Sequence, residues 1–293
     1  MVIPVEQTFS VSGYHLTAQT WGESSSPPII ALHGWLDNAA SFALIAPILA
    51  EKFYVVALDL AGHGQSSHRP VHQPYHLWDD VADILAIADQ QSWETFSILG
   101  HSRGAMIGFL LAGAMPRRVS CLALLDGIWP KPVNASAAPE QLASSLLQVQ
   151  AHCAKKPKIQ YDLAIAIEAR AKGRFPVSEF AAGLLVERGI RYQDLDQPER
   201  GFYWSTDSKL LAASALKLSE LQIRAFAKAI ASPVLLIKAK QGLWDIFYGL
   251  HELTQVFQSY EELAYIGGHH LHMDGESQLI ANDLKEWLDT HLL

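Results

Sequence analysis

SILGHSRGA, residues Ser97–Ala105, is the most informative segment of this 293-residue chain. Residues that favour β-strands run into the pattern Gly-x-Ser-x-Gly, and the apolar run Met106–Ala114 follows directly. This order predicts a strand, a sharp turn with Ser102 at its apex, and a helix. A strained turn needs neighbours without bulky side chains, which Gly100 and Gly104 supply. We therefore expect Ser102 at a helix N-terminus, where free amides favour developing negative charge.

Short apolar runs on both sides of this stretch alternate with segments of helical spacing. The predicted buried strands are Ile29–Leu32, Tyr54–Leu58, Phe96–Leu99, Cys121–Leu125, Pro233–Ile237 and Leu263–Ile266. Besides the helix after Ser102, the segments with helical spacing outside the middle of the chain are Phe42–Leu49, Trp78–Ala88, roughly Ile246–Gln258, and Leu279–Leu292. Such alternation predicts an α/β fold with a mostly parallel central sheet. Ahead of it, Val5–Val11 and Tyr14–Trp21 flank a Ser-Gly pair and predict an antiparallel hairpin.

The alternation stops between residues 131 and 230. Four helical stretches, without a convincing parallel strand, occupy this part: Glu140–Ala154, Ile159–Lys172, Ser178–Arg188 and Ser219–Ile230. We interpret residues 131–230 as a helical lid inserted into an α/β core made of residues 1–130 and 231–293. Four aromatic residues either line a substrate pocket under this lid or form the lid's own core: Trp129, Phe202, Tyr203 and Trp204.

Composition excludes several classes of function. The net charge is −8 and no basic cluster offsets it, so neither nucleic acid nor an anionic membrane is an expected partner. No apolar run approaches the length of a membrane span. Two cysteines, Cys121 and Cys153, cannot build a disulfide framework and are expected to stay reduced. We see no signal peptide, expect a cytoplasmic protein, and find no sign of a metal or organic cofactor.

A serine at such a turn becomes reactive only with a base and an orienting acid. His269 directly follows two glycines after the last predicted strand, so the loop can carry its imidazole over Ser102. His270 and His272 are neighbours with weaker claims. The developing oxyanion needs two backbone amides, and the candidates are those of Arg103, after the serine, and Trp35, after the first parallel strand.

Two residues compete for the role of the acid. Asp126 directly follows a predicted strand next to that of Ser102, so its carboxylate should emerge at the same edge of the sheet. It could also merely cap a turn with Gly127. Asp245 lies after the strand Pro233–Ile237, but it could equally cap a helix. We favour Asp126, because the acid must reach the imidazole at hydrogen-bond distance.

Five segments together carry a resemblance to a known family: LHGWLDNAASF (Leu32–Phe42), ALDLAGHGQSSHRP (Ala57–Pro70), GHSRGA (Gly100–Ala105), VSEFAAGLLVERGIR (Val177–Arg191) and GGHHLHMD (Gly267–Asp274). The chain resembles the α/β-hydrolase superfamily and, through the fourth segment, its serine hydrolase-like family. The resemblance implies an α/β-hydrolase fold, with Ser102 as nucleophile, His269 as base, and Trp35 and Arg103 as oxyanion donors.

The chain departs from this family pattern at two positions. Arg103 stands where methionine or glutamine is more usual, and its side chain is expected to seek a carboxylate or a charged substrate group. Many relatives carry the acid near the position of Gly242, which has no side chain here. Epoxide hydrolases and haloalkane dehalogenases, which share the layout, use aspartate as nucleophile, so Ser102 argues against both.

These observations predict an enzyme whose partner is a small-molecule ester with an apolar part, and they leave the oligomeric state open. Ser102, His269 and Asp126 would hydrolyse the ester through an acyl-enzyme. Two alternatives stay open: hydrolysis of carbon–carbon bonds or thioesters by the same three residues, and a non-catalytic binding protein with this fold.

Overall fold

The computed structural model describes residues 3–11, 13–244 and 256–292. Most of the helix predicted over Ile246–Gln258 lies outside these described residues, and Val256–Gln258, its described end, forms turns and bends. None of the described helices is both long and apolar enough to cross a membrane.

An eight-stranded sheet forms the centre of the molecule, with strand order β1-β2-β4-β3-β5-β6-β9-β10. Its strands are β1 (Val5–Val11), β2 (Tyr14–Trp21), β3 (Pro28–Leu32), β4 (Tyr54–Leu58), β5 (Phe96–His101), β6 (Val119–Leu125), β9 (Val234–Gln241) and β10 (Tyr260–Gly268). β1 and β2 form the predicted hairpin and pair antiparallel, and β2 pairs antiparallel with β4. From β4 to β10 all pairings are parallel, as the sequence predicts.

Helices cover both faces of this sheet. They are α1 (Ala46–Leu49), α2 (Leu77–Gln90), α3 (Arg103–Ala114), α7 (Glu220–Ala229) and α8 (Ser277–Leu292). Along β3, the side chains of Ile30 and Leu32 pack with α2, α3 and α7, whereas Ile29 and Ala31 pack with α1 and α8. Alternate residues of a strand therefore serve two separate hydrophobic layers, which explains the continuous apolar runs in the sequence.

Between β6 and β9 the chain contributes no described strand to the central sheet. This part contains α4 (Ala138–Cys153), α5 (Leu163–Ala171), α6 (Glu179–Gly189) and an antiparallel pair of short strands, β7 (Ile190–Tyr192) and β8 (Phe202–Trp204). α5 and α6 share two small apolar clusters, one of which also contains Met273 after β10. α7 differs, because it packs against α3 on the face of the sheet. The segment that we predict to be a lid thus mixes helices away from the sheet with one that lies on it.

Candidate active site

Ser102 lies between β5 and α3 with a backbone φ of 52°, a left-handed conformation that is uncommon for serine. The two flanking glycines allow the chain to approach its neighbours closely. A Cβ on Gly104 would lie 1.9 Å from the main-chain oxygen of Leu32, and one on Gly100 would lie 2.6 Å from the backbone of Ala105. The close approach of α3 to β3 places the loop after Leu32 beside the turn that carries Ser102.

Three of the residues predicted from the sequence meet at this turn. The Oγ atom of Ser102 lies 2.9 Å from Nε2 of His269, and Nδ1 of the same ring lies 2.7 Å from Oδ2 of Asp126. A neutral imidazole carries one proton, and the carboxylate can only accept, so that proton lies on Nδ1. Nε2 is then a free acceptor for the hydroxyl proton of Ser102.

The environment keeps His269 in this neutral form. Burial lowers the pKa of the ring, and the hydrogen bond that the ring donates to Asp126 opposes this effect without overcoming it. The main-chain oxygen of His269 accepts a 2.9 Å hydrogen bond from Nε2 of His101, a fully buried ring at the end of β5. Burial, together with the neighbouring histidines, holds the pKa of His101 well below its usual range. His101 is thus a neutral donor that fixes the loop on which His269 lies.

Asp126 occupies the space that the resemblance assigns to an acid near Gly242. A Cβ on Gly242 would lie 2.2 Å from Oδ2 of Asp126, so the missing side chain makes room for this carboxylate. Asp126 also accepts hydrogen bonds from the amides of Leu243, at 2.9 Å, and Ala239, at 3.3 Å. The other candidate acid, Asp245, lies outside the described residues, and its role stays a prediction.

The loop after β3 carries Trp35, the second predicted oxyanion donor. Nδ1 of His33 donates to the main-chain oxygen of Gly34 at 2.7 Å, and its Nε2 accepts from the amide of Leu60 at 3.0 Å. In a trans peptide the carbonyl and the following N–H point in opposite directions. Because the Gly34 oxygen is held by His33, the Trp35 amide is turned the other way. His33 thereby orients this peptide, and the contact that does so becomes visible only in the fold.

The side chain of Arg103 turns away from Ser102. Its guanidinium is hydrogen-bonded to the carboxylate of Asp80 on α2, and Asp80 in turn forms an ion pair with Arg69 at 3.3 Å. Of the two expected partners for the Arg103 side chain, a carboxylate or a charged substrate group, the structure contains the carboxylate. The amide of Arg103 remains at the start of α3, next to Ser102.

A cavity of about 170 Å³ opens at Ser102. It is lined by Gly34, Trp35, Asp37, Ser102, Met106, Arg174, Phe175, Leu243, His269 and His270. Arg174 and Phe175 come from the chain between α5 and α6, and the Phe175 ring lies with its centre 4.7 Å from that of His269. Sequence reasoning missed both residues, because no local spacing connects them with Ser102.

The four aromatic residues predicted either to line a pocket or to form the lid's own core divide between three places. Trp129 is fully buried in the main core, where it packs on Phe109. Phe202 lies in a small cluster with α5 and α6. Tyr203 and Trp204 line a second cavity of about 730 Å³, whose lining contains none of Ser102, Asp126 and His269.

Next to the site, Asp37, His101 and His270 place side-chain atoms of metal-ligand type within 4.8 Å of one another. A cation of the chain itself already fills this position. Nη2 of Arg170, on α5, lies 2.7 Å from Oδ1 of Asp37 and 3.1 Å from Nε2 of His270. A metal ion here would face the repulsion of this guanidinium, so the arrangement fits an ion pair better than a metal site.

Comparisons with known proteins bear on the fold and the family of the chain. A family model described as alpha/beta hydrolase fold matches residues 27–276. Serine hydrolase-like protein 2 of Homo sapiens is 30% identical, over 98% of this chain and 95% of the human protein. A serine hydrolase-like protein of Dictyostelium discoideum is 31% identical, over 94% of this chain and 79% of its own length. The crystal structure of a hypothetical protein from Pseudomonas aeruginosa PAO1 superimposes with a TM-score of 0.90 at 39% identity, covering 98% of this chain and 100% of that one.

Proposed function

We propose that this chain, which belongs to the α/β-hydrolase superfamily and within it to the serine hydrolase-like family, is a serine hydrolase that cleaves small carboxylic esters. One observation carries the proposal. Ser102 Oγ lies 2.9 Å from an imidazole nitrogen whose ring is bonded to a buried carboxylate through its other nitrogen. This is the arrangement that a serine needs in order to act as a nucleophile near neutral pH.

In the first half of the reaction, Ser102 attacks the ester carbonyl. Nε2 of neutral His269 takes the hydroxyl proton, and the Asp126 carboxylate stabilises the imidazolium that forms. The C–O bond to the alcohol then breaks, and the imidazolium returns the proton to the departing alcohol oxygen. The acyl group remains bonded to Ser102.

Negative charge develops on the carbonyl oxygen during this attack. The amides of Trp35 and Arg103 are the proposed donors to it. The Trp35 amide is oriented by the Gly34–His33 hydrogen bond of 2.7 Å, and the Arg103 amide is the first of α3. Removing one such donor typically costs about 10²–10³-fold in turnover.

Water completes the reaction. With His269 again as base, a water molecule attacks the acyl carbon, Ser102 regains its proton, and the carboxylic acid is released. The cavity at Ser102 holds about 170 Å³, roughly the volume of six water molecules in the liquid. A cavity of this size favours a short acyl group. The helical segment in residues 131–230 is proposed to close over it as a lid, since Phe175 lies against His269.

A panel of esters tests the proposal. The panel compares three kinds of substrate at equal concentration. The first is a series of esters of one chromogenic alcohol, with acyl chains from acetyl to palmitoyl. The others are a butyryl thioester, equal in acyl length to the butyrate ester, and emulsified triglyceride. We expect the butyrate or acetate ester to be hydrolysed fastest, and emulsified lipid slowest. Faster turnover of the long-chain lipid, or no turnover of any oxygen ester, would contradict the proposal.

Location in the cytoplasm also stays a prediction, which fractionation of the source cells can check.

A further inference from the structure

The second cavity, of about 730 Å³, is more than four times larger than the one at Ser102 and falls within the range of small-molecule sites. It lies between α4, the chain after α4, β8 and the turn Ser208–Leu211. Its volume far exceeds that of a short acyl group. The acyl group that is bonded to Ser102 during the reaction therefore does not account for this larger cavity.

The two cavities share a wall. Trp35 lines the smaller cavity and Leu36, the next residue, lines the larger one. The Trp35 indole nitrogen donates to the main-chain oxygen of Leu210 at 2.9 Å, and Leu211 lines the larger cavity. Arg170 lines the larger cavity, and its guanidinium bonds to Asp37 in the lining of the smaller one at 2.7 Å. The two cavities are therefore neighbours, separated by the side chains of Trp35, Leu36 and Arg170.

The charges that line the two cavities do not balance. The lining carboxylates both have cationic partners: Asp37 pairs with Arg170 at 2.7 Å, and Asp207 with Lys209 at 3.5 Å. Three lysines of the short segment after α4, Lys155, Lys156 and Lys158, also line the larger cavity and are exposed. No carboxylate among residues 3–11, 13–244 and 256–292 forms an ion pair with any of the three.

The positive charge of Lys155 acts on another residue of the cavity lining. His152, at the end of α4, lines the same cavity, and burial together with the positive charge of Lys155 lowers its pKa. The whole chain carries a charge of −8, with 22 basic and 30 acidic residues. A group of unpaired cations at the edge of an apolar cavity is thus the reverse of the protein's overall charge. Such a group attracts an anion that the rest of the surface repels.

From this geometry we propose that the substrate is an ester with a short acyl group and a longer alcohol part that ends in an anionic group, either phosphate or carboxylate. This inference rests on the proposed function. The acyl group occupies the cavity at Ser102, where it stays bonded during the second half of the reaction. The alcohol part lies in the larger cavity, with its anion against Lys155, Lys156 and Lys158. After cleavage this charged alcohol leaves past the exposed lysines.

Three esters test the proposal. Each is a butyrate of a six-carbon alcohol, whose far end carries phosphate, carboxylate or a neutral methyl ether. We expect kcat/KM of the phosphate ester to exceed that of the neutral ester about tenfold, mainly through KM, with the carboxylate ester between them. Because the lysines are exposed, this ratio should fall as salt is added. A higher kcat/KM for the phosphate ester than for the carboxylate ester identifies a phosphorylated alcohol as the source of the anion, and the reverse order identifies a carboxylic one.

A matched pair of variants locates the effect. Lys155→Gln/Lys156→Gln/Lys158→Gln should bring the ratio close to one and leave the neutral ester within about twofold of the native rate. The control Lys131→Gln/Lys217→Gln/Lys228→Gln removes the same charge from exposed positions outside both cavities and should keep the native ratio. A ratio near one in the native protein, or the same ratio in both triple variants, overturns the proposal.

A binding measurement separates this proposal from the proposed function. If no ester is hydrolysed, the function fails, and the cavity is then tested alone by calorimetry with the six-carbon alcohol phosphate. Binding that is lost in the variant at residues 155, 156 and 158, but kept in the control, supports the anion site. Equal binding by all proteins, or binding by none, contradicts it.

Discussion

His269 and His270 are neighbours in the chain, and each ring is bonded to its own buried aspartate. His269 Nδ1 lies 2.7 Å from Asp126, and His270 Nε2 lies 2.9 Å from Asp37. The two rings are similarly buried, with 6% and 3% of their surface exposed. They differ in their third partner. His269 faces the hydroxyl of Ser102 at 2.9 Å, whereas the guanidinium of Arg170 lies 3.1 Å from His270.

The role of a histidine–aspartate pair therefore depends on the group that its ring faces. A hydroxyl can give a proton to the ring, so the first pair can act as a base. A guanidinium cannot be deprotonated in a protein, so His270 has no proton to take from Arg170. The positive charge of Arg170 also opposes protonation of the His270 ring. Its contacts instead join α5 to the loops after β3 and β10. We therefore expect changes at the first pair to affect turnover and changes at the second to affect stability.

Ser102→Ala should have the largest effect. Turnover of a short ester should fall about 10⁵–10⁶-fold, while the fold survives, because only a hydroxyl is removed. Ser41→Ala is the matched control, since its buried hydroxyl also lies 2.8 Å from a histidine nitrogen, that of His272. We expect Ser41→Ala to keep turnover within about tenfold of the native value. A Ser102→Ala protein with more than a tenth of native activity would rule out the covalent mechanism.

Replacing the aspartate of each pair by asparagine should give the next largest effect on turnover. Asp126→Asn should reduce turnover about 10³–10⁴-fold, because the amide favours the wrong tautomer of His269. Asp37→Asn should change turnover much less and lower the melting temperature more, because it removes the partner of Arg170. Asp245→Asn should cost little. Kinetics and thermal melts of the three variants, measured in parallel, test these expectations. A larger loss of turnover in Asp245→Asn than in Asp126→Asn would make Asp245 the acid and Asp126 a turn residue.

Gly242→Ala should disturb the first pair without touching its residues. The new methyl would lie 2.2 Å from the carboxylate of Asp126, which must move. A displacement of this kind is expected to lower turnover on the order of 10²-fold. Gly183→Ala is the control, since a Cβ there meets nothing within 4 Å. Equal activity of the two variants would mean that the position of the Asp126 carboxylate does not matter.

The pH dependence should show the smallest effect. Burial lowers the pKa of His269 from its usual value of 6.5, and only the neutral ring can accept a proton. Activity should therefore be lost as the pH falls through a value below 6.5. An unperturbed histidine would retain only about a quarter of full activity at pH 6, and we expect distinctly more than that. A profile of kcat/KM with an acid limb at or above pH 6.5 would contradict the burial argument.

The sequence was informative wherever the physical constraint is local. The glycines around Ser102 are required by close backbone contacts within a few residues of the turn, so the pattern itself predicted the strand, turn and helix. Asp126 was preferred on its position at a strand end, and the structure places it 2.7 Å from His269. Both arguments use only neighbours in the chain or in the sheet.

The second pair could not be predicted in this way. Asp37 and Arg170 are 133 residues apart in the chain, and Arg170 and His270 are 100 apart. No helical or strand period connects such positions, and the sequence does not say how the segment between β6 and β9 lies on the core. For the same reason the contact of Phe175 with His269, and the cavity lined by three lysines, became visible only in the fold.

Labelling with a fluorophosphonate is the sharpest test of Ser102 as the nucleophile, because this probe reacts with activated serines. We predict that one equivalent of probe adds to the native protein and that peptide mapping places it on Ser102. Labelling should be absent in Ser102→Ala, strongly slowed in His269→Ala, and close to the native rate in His270→Ala. Attachment at another residue, labelling that persists in Ser102→Ala, or equal slowing in the two histidine variants would contradict the account.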